Sequence, residues 1–247
     1  MADQIKVRGM VIAVAPIGEN DNRIVLLTKD KGKVSAFARG ARRPGNHLMA
    51  ACSTFAFGSF YLYPQRESYS LQQADIEYFF RELTEDLTAT YMAYYFLELA
   101  DYYAVENQGA RDMLNLLYMS FKALLNPRLD KELIRYIFEL KMLAINGEYP
   151  EFFACTNCGS RDDLTSFSIA GNGVLCKQCS HVHPDAINIG ETTLYTLQYI
   201  MCTAINKLFT FTVSDEVKTE LRMVMNRCVH SYIDRKMNSL DILEQIL

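Results

Sequence analysis

Two short pairs, Cys155-Thr156-Asn157-Cys158 and Cys176-Lys177-Gln178-Cys179, constrain this chain more than any other feature. Two thiolates that flank two residues on a tight turn can face one ion, and two such knuckles complete a tetrahedron. The 17 residues between the pairs suit this, because Thr165-Ser166-Phe167-Ser168-Ile169 alternates as a strand and Gly171-Asn172-Gly173 turns. Val174-Leu175 then returns the chain to Cys176. The layout is a zinc ribbon, expected over residues 152–184. Four protein thiolates close the coordination shell, so the expected cofactor is one structural Zn2+ held by Cys155, Cys158, Cys176 and Cys179. His181 and His183 follow Cys179 and could replace one ligand, although solvation at the surface is the commoner fate of such histidines. Reduced core cysteines or a redox C-x-x-C are the other readings, and two pairs disfavour both. Cys52, Cys202 and Cys228 stand in apolar contexts and are expected as packed core thiols.

The seven cysteines are an odd number, and the first residues show no basic region followed by an apolar core. No stretch approaches the roughly 20 apolar residues of a membrane span. Reduced thiols, metal rather than disulfides, no membrane partner and a cytoplasmic location follow as expectations. Half of the 247 residues are apolar and 22% are charged, which excludes a disordered chain and leaves ample material for a core.

The first 80 residues read as strands. Residues 5–14 are rich in β-branched types, residues 23–28 form a second run, and Asp30-Lys31-Gly32-Lys33 turns into a third at 34–38. Residues 53–63 and 69–76 supply two more. Five short strands suit a small barrel, with the OB-fold first and an SH3-like barrel close behind. From residue 81 the apolar spacing becomes helical. Thr84 can cap a helix running through Leu87, Tyr91, Tyr95 and Tyr102. Further helices are expected at 110–125, 130–145, 191–205, 215–235 and 240–247. The fold class is therefore α+β: a five-stranded barrel over residues 1–80, then an α-helical domain over 81–247 that carries the ribbon as an insertion.

The chain carries a net charge of −4, which weighs against a nucleic-acid partner only as an average. Residues 1–81 hold 11 Lys+Arg against 7 Asp+Glu, and residues 82–247 hold 14 against 22, so the halves carry +4 and −8. The candidate phosphate-binding residues are Lys6, Arg8, Arg23, Lys31, Lys33, Arg39, Arg42 and Arg43. The densest piece is the loop Arg39-Gly40-Ala41-Arg42-Arg43-Pro44. Such a cluster can neutralise a nucleic-acid backbone. A solvated face, or a surface for an acidic protein partner, is the competing reading. Phe55, Phe57, Phe60 and Tyr61 are expected mostly as core. Phosphate-loop, nucleophile-elbow, H-E-x-x-H and dinucleotide patterns are absent, so a binding protein is favoured over an enzyme.

These features together resemble the RecO family of bacterial DNA repair and recombination mediators. The resemblance is carried by residues 9–14, Gly18-Glu19-Asn20-Asp21, Leu26-Leu27-Thr28, Lys31-Gly32-Lys33 and Ala38-Arg39-Gly40-Ala41-Arg42-Arg43. Leu71-Gln72-Gln73-Ala74-Asp75, Tyr232 and Lys236-Met237-Asn238-Ser239-Leu240 extend it to the end of the chain. Gly45-Asn46-His47 departs from the family's polar continuation after the basic loop. The resemblance implies an OB-fold barrel followed by the helical domain. It also implies binding of single- and double-stranded DNA, annealing of complementary strands and a complex with RecR. Single-strand-binding protein and, indirectly, RecA are implied as further partners, at the bacterial nucleoid.

Overall fold

A computed structural model describes residues 3–66 and 68–246. Five strands, β1 (Ile5–Ile17), β2 (Asp21–Thr28), β3 (Gly32–Ala38), β4 (Phe57–Pro64) and β5 (Tyr69–Tyr78), close a barrel in the order β1-β2-β3-β5-β4. All neighbours pair antiparallel except β3 and β5, which run parallel through Ala36 with Tyr69 and Phe37 with Ser70. A simple meander would set β5 beside β1. The crossover that puts β4 there is the Greek key of the OB-fold and excludes the SH3-like alternative. Alternation places the core: Val34, Ala36 and Ala38 of β3 point inward with Ile24, Leu26, Phe60, Leu62 and Leu71, while Lys33, Ser35 and Phe37 face out.

The β2–β3 turn is tied to the segment after the first helix. Gly32 has φ +62°, and a Cβ there would lie 2.0 Å from the Val105 carbonyl oxygen and 2.2 Å from that of Gln108. Lys33 donates its backbone N–H to Val105 O at 3.2 Å, and Asn107 donates to Lys31 O at 2.9 Å. Gly32→Ala combines a left-handed backbone with a backbone clash, so it should cost at least about 3 kcal/mol. A thermal melt should show a fall of about 6–12 °C. An unchanged midpoint would mean that this turn adopts another path.

The first helix begins later than the Thr84 cap predicts. Residues Arg81–Glu85 wind as a 3-10 turn that buries Leu83, and the Thr84 hydroxyl donates to Arg81 O at 2.7 Å. Asp86 is the cap instead: its carboxylate accepts the Ala89 N–H at 2.7 Å and starts α1 (Leu87–Tyr103). Helices α2 (Arg111–Leu124), α3 (Lys131–Ile145), α4 (Glu191–Cys202), α5 (Asp215–Tyr232) and α6 (Asn238–Ile246) follow. Helix α4 stops before residue 205 because Lys141 Nζ donates to the carbonyls of Ile200, Met201 and Thr203 and closes its end. Cys202, expected in the core, is exposed on that last turn, whereas Cys228 is buried and Cys52 half-buried. Leu247, placed at the end of the last helix by the sequence, lies outside the described residues. Among the described residues no helix is long and apolar enough to cross a membrane.

The packing does not follow the composition change at residue 81. Residues 1–121 with 237–247 form one compact unit, and residues 122–236 form the other. An aromatic seam explains the first: Phe55 meets Tyr94 at 5.0 Å and Phe121 at 5.4 Å, while Tyr118 meets Phe57 at 4.7 Å and Phe80 at 5.6 Å. The Ser239 hydroxyl and N–H donate to Glu98, which fixes α6 to α1.

In the second unit α3 is held to α5 by ion pairs. Arg222 bridges both oxygens of Glu132 and bonds the Tyr136 hydroxyl, and Lys218 meets Asp130 at 2.8 Å. Asp130 also caps α3 by accepting the Leu133 N–H at 3.0 Å. Partial burial raises its carboxyl, but the Lys218 ammonium and the Leu133 N–H outweigh this and hold it below the usual value. A lowered carboxyl stabilises above the unfolded value of about 4 and loses that contribution as pH falls through the lowered one. The partly exposed ion pair is solvent-screened and adds little, so Asp130→Ala should cost about 1–2 kcal/mol at pH 7, mostly as a lost cap. Urea unfolding from pH 7 toward pH 3 should show this gap narrowing. A gap that stayed constant would assign it to packing alone.

Candidate metal centre and nucleic-acid interface

The ribbon consists of β6 (Leu164–Ser168), β7 (Gly173–Cys176) and β8 (Ile187–Asn188), in the order β7-β6-β8. The first cysteine pair lies on the loop before β6, and the second begins at the end of β7. The four Sγ atoms all lie within 4.8 Å of one another, and Cys158 and Cys176 are 3.7 Å apart. A tetrahedron with metal–sulfur distances of about 2.3 Å has edges of about 3.8 Å. The donor set and its spacing therefore fit one four-coordinate ion. Cys155, Cys176 and Cys179 are buried and Cys158 is exposed. Neither His181 nor His183 belongs to the cluster.

Local hydrogen bonds pre-form each knuckle. Gly159 donates its N–H to Cys155 O at 2.8 Å, and Cys179 donates to Cys176 O at 2.9 Å. Burial raises the Cys155 thiol, but backbone N–H groups of Cys176, Cys158 and Asn157 outweigh it and bring it down to about 6. At Cys179 the Asn157 side chain favours the thiolate, yet burial and the neighbouring thiols push it up to about 11. Four sulfurs this close cannot all carry charge without a cation among them, and a thiolate-binding ion supplies that charge.

The ribbon is braced within its own unit. The Asp185 carboxylate accepts from the Ser168 hydroxyl at 2.7 Å and from the N–H groups of Ile169 and Ala170 at 2.9 and 3.1 Å. Gln198 of α4 donates to Phe152 O at 2.7 Å, and Arg227 and Tyr232 of α5 bond Asp185 O and the Asn172 side chain. Phe152 stacks on Phe167 beneath.

The barrel distributes the basic residues unequally. Lys6 and Arg8 face out from β1 over Tyr61 and Phe57, and Arg8 is paired with Glu77 at 2.7 Å. Lys33 is committed to Asp101 of α1 at 2.7 Å and to its carbonyl at the same distance. Arg23 faces out from β2 and donates to the Ser35 hydroxyl. Lys31 lies at the β2–β3 turn. Arg39, Arg42 and Arg43 emerge where β3 ends, beside the β1–β2 turn. Asp21 accepts the Gly40 N–H at 2.7 Å, Arg42 N donates to Asn20 O at 2.9 Å, and the Arg42 guanidinium bonds Gly18 O at 3.3 Å. The Gly18–Asp21 turn and the arginine loop are thus one hydrogen-bonded piece of backbone. Among the described residues Lys31, Arg39, Arg43 and Arg66 have no carboxylate partner. Arg66, on the β4–β5 loop, lines a cleft with Lys33, Ser35 and Asn107. Sequence reasoning passed over it because it stands alone in its segment. Phe55, Phe57 and Phe60 are buried as expected, and Tyr61 bonds Asp75 from the outer face.

A Greek-key OB barrel, a helical region and a four-cysteine ribbon define a class of OB-fold protein with a candidate metal site. Residues 1–80 match the family described as Recombination protein O N terminal, and residues 84–241 match Recombination protein O C terminal. The chain belongs to the RecO family. It is similar to the DNA repair protein RecO of Acetivibrio thermocellus, at 31% identity over 98% of this chain and 97% of that protein. The DNA repair protein RecO of Bacillus subtilis is 31% identical over 98% of this chain and 94% of its own length. That of Symbiobacterium thermophilum is 32% identical over 97% and 96%.

Proposed function

We propose that this protein is a DNA-binding recombination mediator in DNA repair, of the RecF-type pathway. It binds single- and double-stranded DNA, anneals complementary strands and, with RecR, assists loading of RecA onto strands coated by single-strand-binding protein. The partners rest on family membership. The DNA surface rests on one observation: Arg39, Arg42 and Arg43 are held by backbone bonds against the Gly18–Asp21 turn, with Arg23 on the adjoining strand face. The strand 2–3 face and its flanking loops are where OB barrels take oligonucleotides. Lys6, Arg8 and Lys31 extend the positive field, and Lys33 contributes through a charge already shared with Asp101. The barrel over residues 1–80 is the DNA-binding domain, and the helical domain over residues 81–247, with its ribbon, meets protein partners.

The four cysteines hold one structural Zn2+, the ion that suits a closed tetrahedral thiolate shell. Annealing requires screening of two like-charged strands and no hydrolysis, so the protein acts as a binding protein rather than an enzyme, in the cytoplasm at the nucleoid. The test is the rate at which complementary oligonucleotides anneal with and without the protein and without nucleotide. Faster annealing that salt suppresses is expected. No acceleration, together with salt-sensitive binding to an acidic protein segment, would favour an adaptor.

A further inference from the structure

We propose that Phe37 and Tyr63 are the platforms on which unpaired bases of a DNA strand stack, a deepening that rests on the DNA-binding reading above. Strand alternation sends Phe37 outward from β3, between the buried Ala36 and Ala38. Phe37 belongs neither to the barrel core nor to the partly buried residues packed against it. It makes no ring contact among the described residues, whereas Phe55, Phe57 and Phe80 all do. Phe37 is thus a half-buried ring on the outer sheet face with no aromatic neighbour among the described residues, and its accessible part is free to meet a flat ligand.

Its surroundings fit a nucleobase. Register sets Ala15, Arg23 and Phe37 in one row across β1, β2 and β3, and Ser70 of β5 lies beside Phe37 and also opposite Tyr63 of β4. Phe37 and Tyr63 therefore flank the small Ser70 from strands about 10 Å apart. Tyr63 is 43% exposed. Arg39 lines the cleft beside Tyr63, together with Gln65 and Gln72. Arg23 and Arg39 are thus positioned to take phosphates while the rings take bases, the division of labour in sequence-tolerant single-strand binding. Duplex DNA keeps its base faces stacked inside, so only an unpaired strand can use the rings. Arginine contacts alone would serve either form.

The chain contains no tryptophan, so Phe37→Trp introduces the sole indole. Titration with oligothymidylate should quench its emission, and a duplex of the same length should leave it unchanged. Phe37→Ala and the volume-keeping Phe37→Leu should each weaken oligothymidylate binding about tenfold to a hundredfold, with the salt slope and duplex affinity unchanged. Tyr63→Ala should weaken it similarly, and Tyr63→Phe should restore it. Binding without quenching, or alanine and leucine variants that bind like wild type, would overturn the platform while leaving the phosphate surface intact. If the wild-type protein itself failed to bind oligothymidylate at low salt, both the platform and the DNA-binding reading would fall.

Discussion

Cys176→Ser is expected to abolish stoichiometric metal binding and to lower the melting midpoint by about 10 °C or more. Structural zinc binding is folding free energy, of order 10 kcal/mol or more in small zinc modules. Removing one buried thiolate of four forfeits several kcal/mol of it, and each kcal/mol moves the midpoint of a chain this size by about 2–4 °C. The ribbon has little else to replace the ion, since β7 and β8 are four and two residues long. Its bonds to α4 and α5 mean that a melted ribbon also releases the ends of those helices. Metal analysis of the purified protein should give one zinc per chain. The control is Cys202→Ser, whose exposed thiol lies outside the cluster and should leave both metal and midpoint as they were. A Cys176→Ser protein that kept its zinc and its midpoint would remove the ion from the account of the fold.

The triple change of Arg39, Arg42 and Arg43 to Ala should weaken single-strand binding roughly a hundredfold at 50 mM salt. Each phosphate contact on a single strand releases about 0.7 of a counterion, so three lost contacts should flatten the salt slope by about two units. Stability should hardly change, because these side chains are exposed and, among the described residues, only the Arg42 guanidinium bonds the protein, to a carbonyl at 3.3 Å. Filter binding across a salt series, beside a thermal melt, separates the two effects. Equal slopes for the variant and wild type would move the DNA surface away from this loop.

The parts of this molecule that depend on near neighbours in sequence were legible. Cysteine spacing located the ribbon because each knuckle is a local turn, and apolar alternation located the five strands because inward and outward residues succeed each other. Strand order was not legible in the same way. The parallel contact of β3 with β5 joins Phe37 to Ser70 across the β4 hairpin, and no local pattern encodes it. The OB reading rested on the number of strands and on the resemblance, not on a strand order.

Residue type revealed the basic set, but its partners lie far off in sequence. Arg8 meets Glu77 and Lys33 meets Asp101, so two cations that look free along the chain are already engaged. Thr84 and Asp86 compete for one cap within three residues, and the 3-10 turn that buries Leu83 decides between them. Phe37 was passed over because a phenylalanine inside a strand reads as core. The alternation of buried Val34, Ala36 and Ala38 puts it on the outer face, and the register then sets it beside Arg23 and Ser70.

The barrel is proposed to present a phosphate-binding surface to DNA. The most direct measurement of that surface is the affinity of the wild-type protein for a mixed-sequence single strand between about 25 and 200 mM salt. Five or six engaged cations predict a linear fall of log K against log salt with a slope of about −4. Undetectable binding at the lowest salt, or binding that salt does not weaken, would contradict it.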